Sequence, residues 1–205
     1  KPFASERLLN FLNRAIENVD LKKEKNALEN KLFYSYEIIG SSQAMQKIKN
    51  LITKLSSTES RVFISGPAGS GKELVGRQIH KQSTRCSKPF VVVNGALLDP
   101  QKYELELFGS ENENGTTNYG FFEKAKDGTL LIDEVTEIPL ETQAKILRVL
   151  TDQKFRRVNG SVEISMNVRI LSSSSKNIRE EVDKGNFRED LYHRLNVVPI
   201  LLPPL

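Results

Sequence analysis

Hydrophobic residues along the chain alternate between short continuous runs and widely spaced positions, which predicts strands that alternate with helices. The runs "RVFISG", "PFVVVNG", "GTLLIDEV", "RILSSSS" and "NVVPILL" are the predicted strands. Continuous apolar runs are typical of strands that helices bury on both faces. We therefore predict an α/β fold with three layers, α/β/α, around a central parallel sheet.

Two further stretches carry the spacing of amphipathic helices, and a third is typical of a hairpin. "SSQAMQKIKNLITKLSS" and "LETQAKILRVLTDQ" place apolar residues three or four apart, on one helical face. The apolar positions predicted for these faces are Met45, Ile48, Ile52 and Leu55 in the first helix and Leu140, Ala144 and Leu147 in the second. "FRRVNGSVEISMNV" predicts two strands that turn at Asn159 and Gly160.

Residues 4–32 predict one long helix at the start of the chain. Leu8, Leu12, Ala15 and Val19 form an apolar seam that later leucines continue. A helix of about 29 residues would be about 44 Å long, which exceeds the width of a small domain. We expect a dimerising linker here; the alternative is an amphipathic helix that packs on its own domain.

Composition and charge narrow the class of protein. The 205 residues are 38% hydrophobic and 27% charged, typical of a folded protein with a core. No apolar run reaches the roughly 18 residues of a membrane helix, no signal peptide is visible, and the single cysteine, Cys86, excludes an internal disulfide. We therefore expect a cytoplasmic protein with no membrane partner. Because the first residue is not Met, we also expect a piece of a longer protein.

The segment "GPAGSGKE" carries the clearest chemistry. It follows a predicted strand, opens a predicted helix and has the G-x-x-x-x-G-K spacing of a phosphate-binding loop. Glycines let backbone N–H groups turn towards phosphate oxygens, and the helix N-terminus adds partial positive charge. The predicted nucleotide-binding residues of this P-loop are Gly66, Pro67, Ala68, Gly69, Ser70, Gly71, Lys72 and Glu73. Glu73 stands where such loops usually carry the Ser or Thr that contacts magnesium.

The strand "TLLIDEV" ends in two carboxylates, Asp133 and Glu134. The carboxyl edge of a parallel sheet is where α/β proteins bind ligands, so these side chains are expected beside the P-loop. Asp133 is the predicted ligand of Mg²⁺, directly or through water, and Glu134 the predicted base for the attacking water.

Other reactive side chains have simpler interpretations. "FREDLYHRL" predicts a short helix with Arg188 and Arg194, either as surface arginines or as arginine fingers for a neighbouring subunit. His80 and His193 lack the spacing of metal ligands and are expected to be structural. The net charge of +4 comes without a dense cluster of Lys and Arg, so direct DNA binding by this segment is not expected.

From about Tyr36 to Leu205 the chain resembles the AAA+ domain of bacterial enhancer-binding proteins, which activate sigma-54 RNA polymerase. The motifs that carry the resemblance are "IIGSSQAMQKI", "GPAGSGKE", "FVVVNG", "ELFG", "GTLLIDEV", "ETQAKILRVL", "FRRVNG", "VRI" and "FREDLYHRLNVVPILLPPL". The initial "KPF" is similar to the end of a response-regulator receiver domain. The resemblance thus implies a receiver end and dimerising linker helix over 1–34 and a P-loop AAA+ subdomain over 35–205, without the helical lid and DNA-binding domain that follow in the family.

The resemblance also implies ATP or ADP with Mg²⁺ as cofactors and assigns roles to individual residues. It gives catalytic roles to Asp133, Glu134, Asn94, Arg188 and Arg194, and nucleotide contacts to Ile39, Gly40 and Ser175. Asn94 would match the Asn that restrains the catalytic Glu until subunits assemble. Ser174 and Ser175 stand where the family usually has a Thr-Asn sensor of the nucleotide, which favours weak hydrolysis. Because the resemblance also implies a missing lid and arginine fingers that need a neighbouring subunit, ATP hydrolysis by this segment is expected to be weak or absent.

The loop "SENENGTTNYG" departs from the family. Its members usually carry a GAFTGA motif after "ELFG", at the tip that contacts sigma-54, and no such run exists in this chain. The loop offers Tyr119 as its one anchoring side chain, whereas protein contacts need apolar or aromatic anchors. We therefore expect no productive contact with sigma-54 polymerase, as in a subgroup of response regulators within the family.

The expected partners are a second copy of the chain, as a dimer through the linker or a higher ring, and a sensor histidine kinase that acts on the receiver. DNA would be bound only through a C-terminal domain. Two alternatives stay open: an active sigma-54-dependent ATPase, and a non-enzymatic dimerisation scaffold with a relic P-loop. A generic P-loop NTPase would share the loop and the acidic strand, but not "ELFG" and "FREDLYHRL".

Overall fold

The computed structural model describes residues 38–112 and 116–204. The chain divides into two compact units, Lys1–Ile39 and Gly40–Leu205. The predicted helix over residues 4–32 lies outside the described residues, so its dimerising role and a domain boundary after residue 34 stay predictions.

Helices and strands alternate through the second unit, as the hydrophobic pattern predicts. They are α1 (Gln43–Ser56), β1 (Val62–Ser65), α2 (Lys72–Lys81), β2 (Phe90–Asn94), α3 (Tyr103–Phe108), β3 (Ser110–Glu111), β4 (Thr117–Asn118), α4 (Phe121–Lys124), β5 (Thr129–Asp133), α5 (Leu140–Asp152), β6 (Lys154–Arg156), β7 (Glu163–Ser165), β8 (Arg169–Ser174), α6 (Ile178–Asp183), α7 (Glu189–Leu195) and β9 (Val198–Leu201). Single 3₁₀ turns span Gly95–Leu97 and Val135–Glu137. None of the helices in these described ranges is long and apolar enough to cross a membrane.

Five strands form a parallel sheet in the order β2-β5-β8-β1-β9. This confirms the predicted α/β architecture with a central parallel sheet. The register places Ser65 beside Ser174 and Asn94 beside Asp133, all at the carboxyl ends of their strands. The P-loop leaves the end of β1, and the two predicted carboxylates leave the end of β5, with only β8 between them. One edge of the sheet therefore gathers the candidate site.

The apolar strands supply the core. Leu130, Leu131 and Ile132 of β5 are fully buried, as expected for a strand that is covered on both faces. Helix α1 begins after Ser42, whose side chain accepts a hydrogen bond from the backbone N–H of Met45 at 3.3 Å. Its predicted apolar face is confirmed, since Ile48, Ile52 and Leu55 are buried in it and Met45 is half-buried.

The face predicted for helix α5 is wrong. Leu140 is 45% exposed and Ala144 and Leu147 are only half-buried, whereas the buried residues are Thr142, Gln143, Ile146, Val149 and Leu150. The sequence does not reveal this buried face because two of its residues, Thr142 and Gln143, are polar. Gln143 can be buried because its amide N–H groups donate to the carbonyls of Ile138 and Asn186, and its Oε1 accepts from the backbone N–H of Arg188.

Two small hairpins lie outside the main sheet. β6 and β7 pair antiparallel around a turn that includes Asn159 at φ 62°, which confirms the predicted hairpin. β3 and β4 pair in the same way across the polar segment 111–120, where the sequence predicted a loop without strands. The backbone N–H of Glu111 donates to the carbonyl of Val158 at 3.0 Å, and the N–H of Val158 donates to the carbonyl of Gly109 at 2.9 Å. These hydrogen bonds join the β3–β4 hairpin to the segment between β6 and β7.

Candidate nucleotide-binding site

The P-loop adopts the compact turn that its glycines permit. Gly69 and Gly71 lie in the left-handed region, at φ 79° and 85°, where any other residue would be strained. The backbone N–H of Ser70 donates to the carbonyl of Pro67 at 3.2 Å, which closes the turn. Gly71 precedes the first residue of α2, so the loop presents a helix N-terminus where phosphate would bind.

Lys72 is buried at the centre of the site, with 6% of its side chain exposed. Its Nζ donates to the carbonyls of Gly66 and Pro67, each at 3.2 Å. The same atom lies 3.2 Å from Oε1 of Glu134. The cation of the P-loop is therefore paired with the carboxylate that the sequence predicted as the catalytic base.

Glu134 is held by two elements at once. Its backbone is left-handed, at φ 49° and ψ 51°, which turns the side chain back towards the P-loop. Its Oε2 accepts from both the backbone N–H and the Oγ of Ser175, each at 2.8 Å. Burial favours a raised pKa, but the hydrogen bonds from Ser175 and the Lys72 cation outweigh it and hold the pKa of Glu134 below its ordinary value. Glu134 is thus ionised at neutral pH.

Asp133 lies beside Glu134 but belongs to a different hydrogen-bond network. Its Oδ1 accepts from Oγ of Ser173 at 2.5 Å and its Oδ2 from Nδ2 of Asn94 at 3.0 Å. The resemblance placed Asn94 against the catalytic Glu; here its amide contacts Asp133 instead, because the two residues are paired in the strand register. Among the described residues no hydrogen bond joins Asn94 to Glu134, so its restraining role stays a prediction.

Magnesium is compatible with this arrangement through Asp133. A carboxylate offers about four lone-pair positions, so Asp133 can still accept a hydrogen bond from a metal-bound water. Within residues 38–112 and 116–204, no group of three or more His, Cys, Asp or Glu side chains forms a protein-only metal site. Mg²⁺ usually keeps several waters and binds substrate phosphates with one or two carboxylates, which fits a single Asp.

Of the other residues predicted to contact nucleotide, only Ser175 bonds to Glu134 among the described residues. Glu73 turns onto its own helix, where its Oε1 accepts from Nε of Arg77 at 2.7 Å. Ser174 is fully buried, with its Oγ 2.9 Å from Oγ of Thr136, so only Ser175 of the expected sensor pair contacts the site. Ile39 is 88% exposed. Gly40 has a φ of 138° and its carbonyl accepts from Nζ of Lys49 at 3.0 Å.

A cavity of about 550 Å³ adjoins the P-loop, and part of its wall was not predicted from the sequence. Gly66, Pro67 and Ser175 line one part of it; Lys176 and Tyr192 line another. The hydroxyl of Tyr192 accepts from Nδ2 of Asn196 at 2.9 Å, and its ring packs edge-on to Phe63. Tyr192 belongs to the motif "FREDLYHRL", but a single tyrosine in a short amphipathic helix does not by itself predict a place in a binding site.

The two predicted arginine fingers lie on the surface around α7. Arg188 forms a two-pronged pair with Asp190, at 3.0 and 2.8 Å. Arg194 has an exposed side chain. In the part of the chain that the structure describes, no hydrogen bond or ion pair joins either guanidinium to the P-loop, Asp133 or Glu134. Both side chains are accessible to a neighbouring subunit.

The chain matches one family model and is similar to two NtrX proteins, one of which has been solved with ADP and with ATP. The family model described as "Sigma-54 interaction domain" matches residues 38–201. The nitrogen assimilation regulatory protein NtrX of Azorhizobium caulinodans is 44% identical over 206 residues, which cover 100% of this chain and 45% of that protein. Crystal structures of NtrX from Brucella abortus align over 100% of this chain and 46% of theirs: the complex with ADP at 46% identity and TM-score 0.85, and the complex with ATP at 45% identity and TM-score 0.83. The chain therefore spans less than half the length of the relatives it matches.

Proposed function

Because this chain belongs to the Sigma-54 interaction domain family, we propose that it is the ATP-binding central domain of a two-component transcriptional regulator. The family match confirms the family that the sequence motifs indicated. The relatives confirm that the chain is similar to NtrX regulators, the subgroup that the loop without GAFTGA fits. In this proposal nucleotide, together with phosphorylation of a receiver by a sensor histidine kinase, controls self-assembly of the regulator in the cytoplasm. DNA is bound by a separate domain.

The contact between Lys72 and Glu134 carries the nucleotide part of the proposal. A buried ammonium at the P-loop and an ionised carboxylate within 3.2 Å of it are the two charges that ATP binding and water activation need. The two NtrX structures, named as complexes with ADP and with ATP, support the same cofactors for this chain. Mg²⁺ would be held by the phosphates, by water and by Asp133.

Self-assembly is supported by the exposed arginines. Among the described residues, neither Arg188 nor Arg194 bonds to the P-loop of its own chain, and an arginine finger supplied by another subunit is a common solution for phosphoryl transfer. In the single chain Arg188 is neutralised by Asp190, so assembly would have to release it. Turnover of ATP would therefore rise with protein concentration.

The loop over 111–120 supports a regulator that does not remodel sigma-54 polymerase. The two ends of the loop pair as a short hairpin, in which β3 and β4 have two residues each, rather than as a long projecting arm. Tyr119 is 61% exposed, but the guanidinium of Arg157 stacks on its ring at 5.4 Å from the centroid. A single stacked aromatic side chain is a poor anchor for a protein contact.

Calorimetric titration of Mg-ATP into the chain tests the nucleotide part. We expect saturable binding that Lys72→Ala removes, because Lys72 is the cation buried within the P-loop, where it would contact the β and γ phosphates. Lys154→Ala is the matched control, since Lys154 is an exposed hairpin lysine that pairs with Glu163. Equal binding in the wild type and Lys72→Ala would contradict the assignment of the nucleotide site to the P-loop. No binding, even by a longer piece of the protein that includes a lid domain, would leave only the scaffold alternative.

Two further measurements separate the finer claims. ATP turnover per subunit that is independent of concentration, or unchanged by Arg194→Ala, would contradict assembly through arginine fingers. Run-off transcription from a sigma-54 promoter that rises with ATP and the intact regulator would refute the claim about the loop and favour the active sigma-54 ATPase.

A further inference from the structure

Three arginines meet at the edge of the sheet that is opposite to the P-loop. Arg61 precedes β1, Arg169 begins β8, and Arg85 follows α2. All three line a cavity of about 360 Å³ together with Gln153 and Asn167. Because β1 runs from this edge to the P-loop, the cavity is roughly 13 Å or more from the candidate nucleotide site.

The cavity has an excess of positive charge. Among the described residues that line it, Glu59 is the one acid, and its Oε2 accepts from Nε of Arg85 at 2.9 Å. The remaining charge is that of Arg61 and Arg169. Burial lowers the pKa of both, and nearby cations lower it further: Arg194 for Arg61, and Arg85 for Arg169, against the opposing effect of Glu59. Two partly desolvated cations thus line the same cavity.

Unused hydrogen-bond donors accompany this charge. Arg169 is 2% exposed; its Nη2 donates to the carbonyl of Leu55 at 2.8 Å, while its buried Nη1 has no partner among the described residues. Arg61 uses Nη1 and Nη2 for the carbonyls of Arg194 and Leu150, at 3.3 and 3.1 Å. A guanidinium has five N–H donors, so both arginines retain donors.

The carbonyl contacts alone would suit arginines that only hold loops in place. They leave the excess positive charge of the cavity unexplained, since buried cations are normally partnered. A compact oxyanion with several acceptors would compensate this charge and could accept from the half-buried Arg61, because charge-assisted hydrogen bonds to guanidinium groups are among the strongest in proteins.

We propose that this cavity, which we call the arginine cavity, binds a doubly charged oxyanion of the phosphate class, held by hydrogen bonds from Arg61, with the charge of the buried Arg169 beside it and Arg85 at its rim. The site is separate from the P-loop, and the proposal does not rest on ATP binding there. Its anion would connect the loop before β1 with the start of β8, and so would stabilise the sheet edge from which both strands begin.

Phosphate binding to the 205-residue chain tests this, with ³¹P line broadening of inorganic phosphate as the readout. The Lys72→Ala background removes the P-loop as a competing phosphate site, and sodium chloride keeps the ionic strength constant. We expect saturable broadening that sulfate competes away and acetate, with one charge, does not. Arg61→Gln should weaken phosphate binding by about tenfold or more, as expected for loss of a charge-assisted contact, whereas Arg61→Lys should retain part of it.

Arg148→Gln is the matched control, because Arg148 is an 83% exposed arginine that pairs with Asp152. It should leave the phosphate affinity unchanged within about twofold, as surface pairs contribute little. The proposal is overturned if phosphate does not bind saturably, or if Arg61→Gln and Arg148→Gln bind it equally well. Thermal melting of each variant shows that it is folded, and Arg85→Gln provides a second test at the rim of the cavity.

Discussion

Replacement of Glu134 by Gln separates the two tasks of the Lys72–Glu134 pair. The substitution keeps the size of the side chain and an amide oxygen that can still accept from Ser175, but it removes the negative charge 3.2 Å from Nζ of Lys72. Before ATP can use Lys72, this ion pair has to break. Glu134→Gln should therefore bind ATP more tightly than the wild type while hydrolysing it less.

The size of the effect follows from the geometry. Two unit charges 3.2 Å apart attract by about 5 kcal/mol at an effective dielectric constant of about 20. Most of this is offset by desolvation, since Lys72 and Glu134 are 6% and 15% exposed. A net contribution of about 1 to 2 kcal/mol remains, within the range of hydrogen bonds to charged groups. That predicts an ATP affinity roughly 5- to 30-fold higher in Glu134→Gln.

Titration of a fluorescent ATP analogue into the wild type and Glu134→Gln measures this ratio directly. Glu137→Gln is the matched control, because it makes the same charge change three residues along, where Glu137 pairs with Lys176 at 2.7 Å on the surface. It should change the affinity by less than about twofold. An affinity of Glu134→Gln equal to or lower than that of the wild type would refute the view that Glu134 competes with ATP for Lys72.

Two further predictions concern stability. Burial of His80, aided by the charges of nearby arginines, lowers its pKa from 6.5 to about 4, so between these values the unfolded chain takes up a proton that the folded chain does not. The free energy of unfolding of the chain should therefore fall by about 2 kcal/mol from pH 7.5 to pH 5. Urea denaturation at the two pH values should show a smaller fall in His80→Gln than in the wild type. Arg157→Gln should destabilise the chain by about 2 to 3 kcal/mol, because it leaves the Glu123 carboxylate, whose side chain is 10% exposed, without its two-pronged partner. Arg156→Gln, which removes only a surface pair, should cost less than about 0.5 kcal/mol, and equal effects of the two would contradict this assignment.

The sheet could be predicted from the sequence, but several helices could not. A strand that is buried on both faces leaves a continuous apolar run, such as Leu130–Ile132, which is easy to recognise. Helices α3 and α6 have six residues each and α4 has four, too few for a repeating pattern. Helix α5 was predicted, but its buried face was misplaced because Gln143 looks like a surface residue until its three tertiary hydrogen bonds are known.

The candidate site could be predicted in its parts but not in its contacts. The spacing of the P-loop and the two acids at the end of a strand identified Lys72, Asp133 and Glu134. Which acid Asn94 contacts depends on the strand register, and the contact of Ser175 with Glu134 depends on a left-handed backbone that no sequence pattern indicates for a glutamate. Both are long-range properties of the folded chain.

The link between the two hairpins has a consequence for how a signal could leave the nucleotide site. The backbone N–H of Glu111 donates to Val158 and that of Val158 to Gly109, and Arg157 bonds to Glu111 and Glu123 across the same junction. β3–β4 and β6–β7 would therefore open as a single cooperative unit rather than as two independent tips. In native-state hydrogen exchange, the amides of Glu111 and Val158 would then share one opening free energy, and a nucleotide that loosened one hairpin would lower the protection of both.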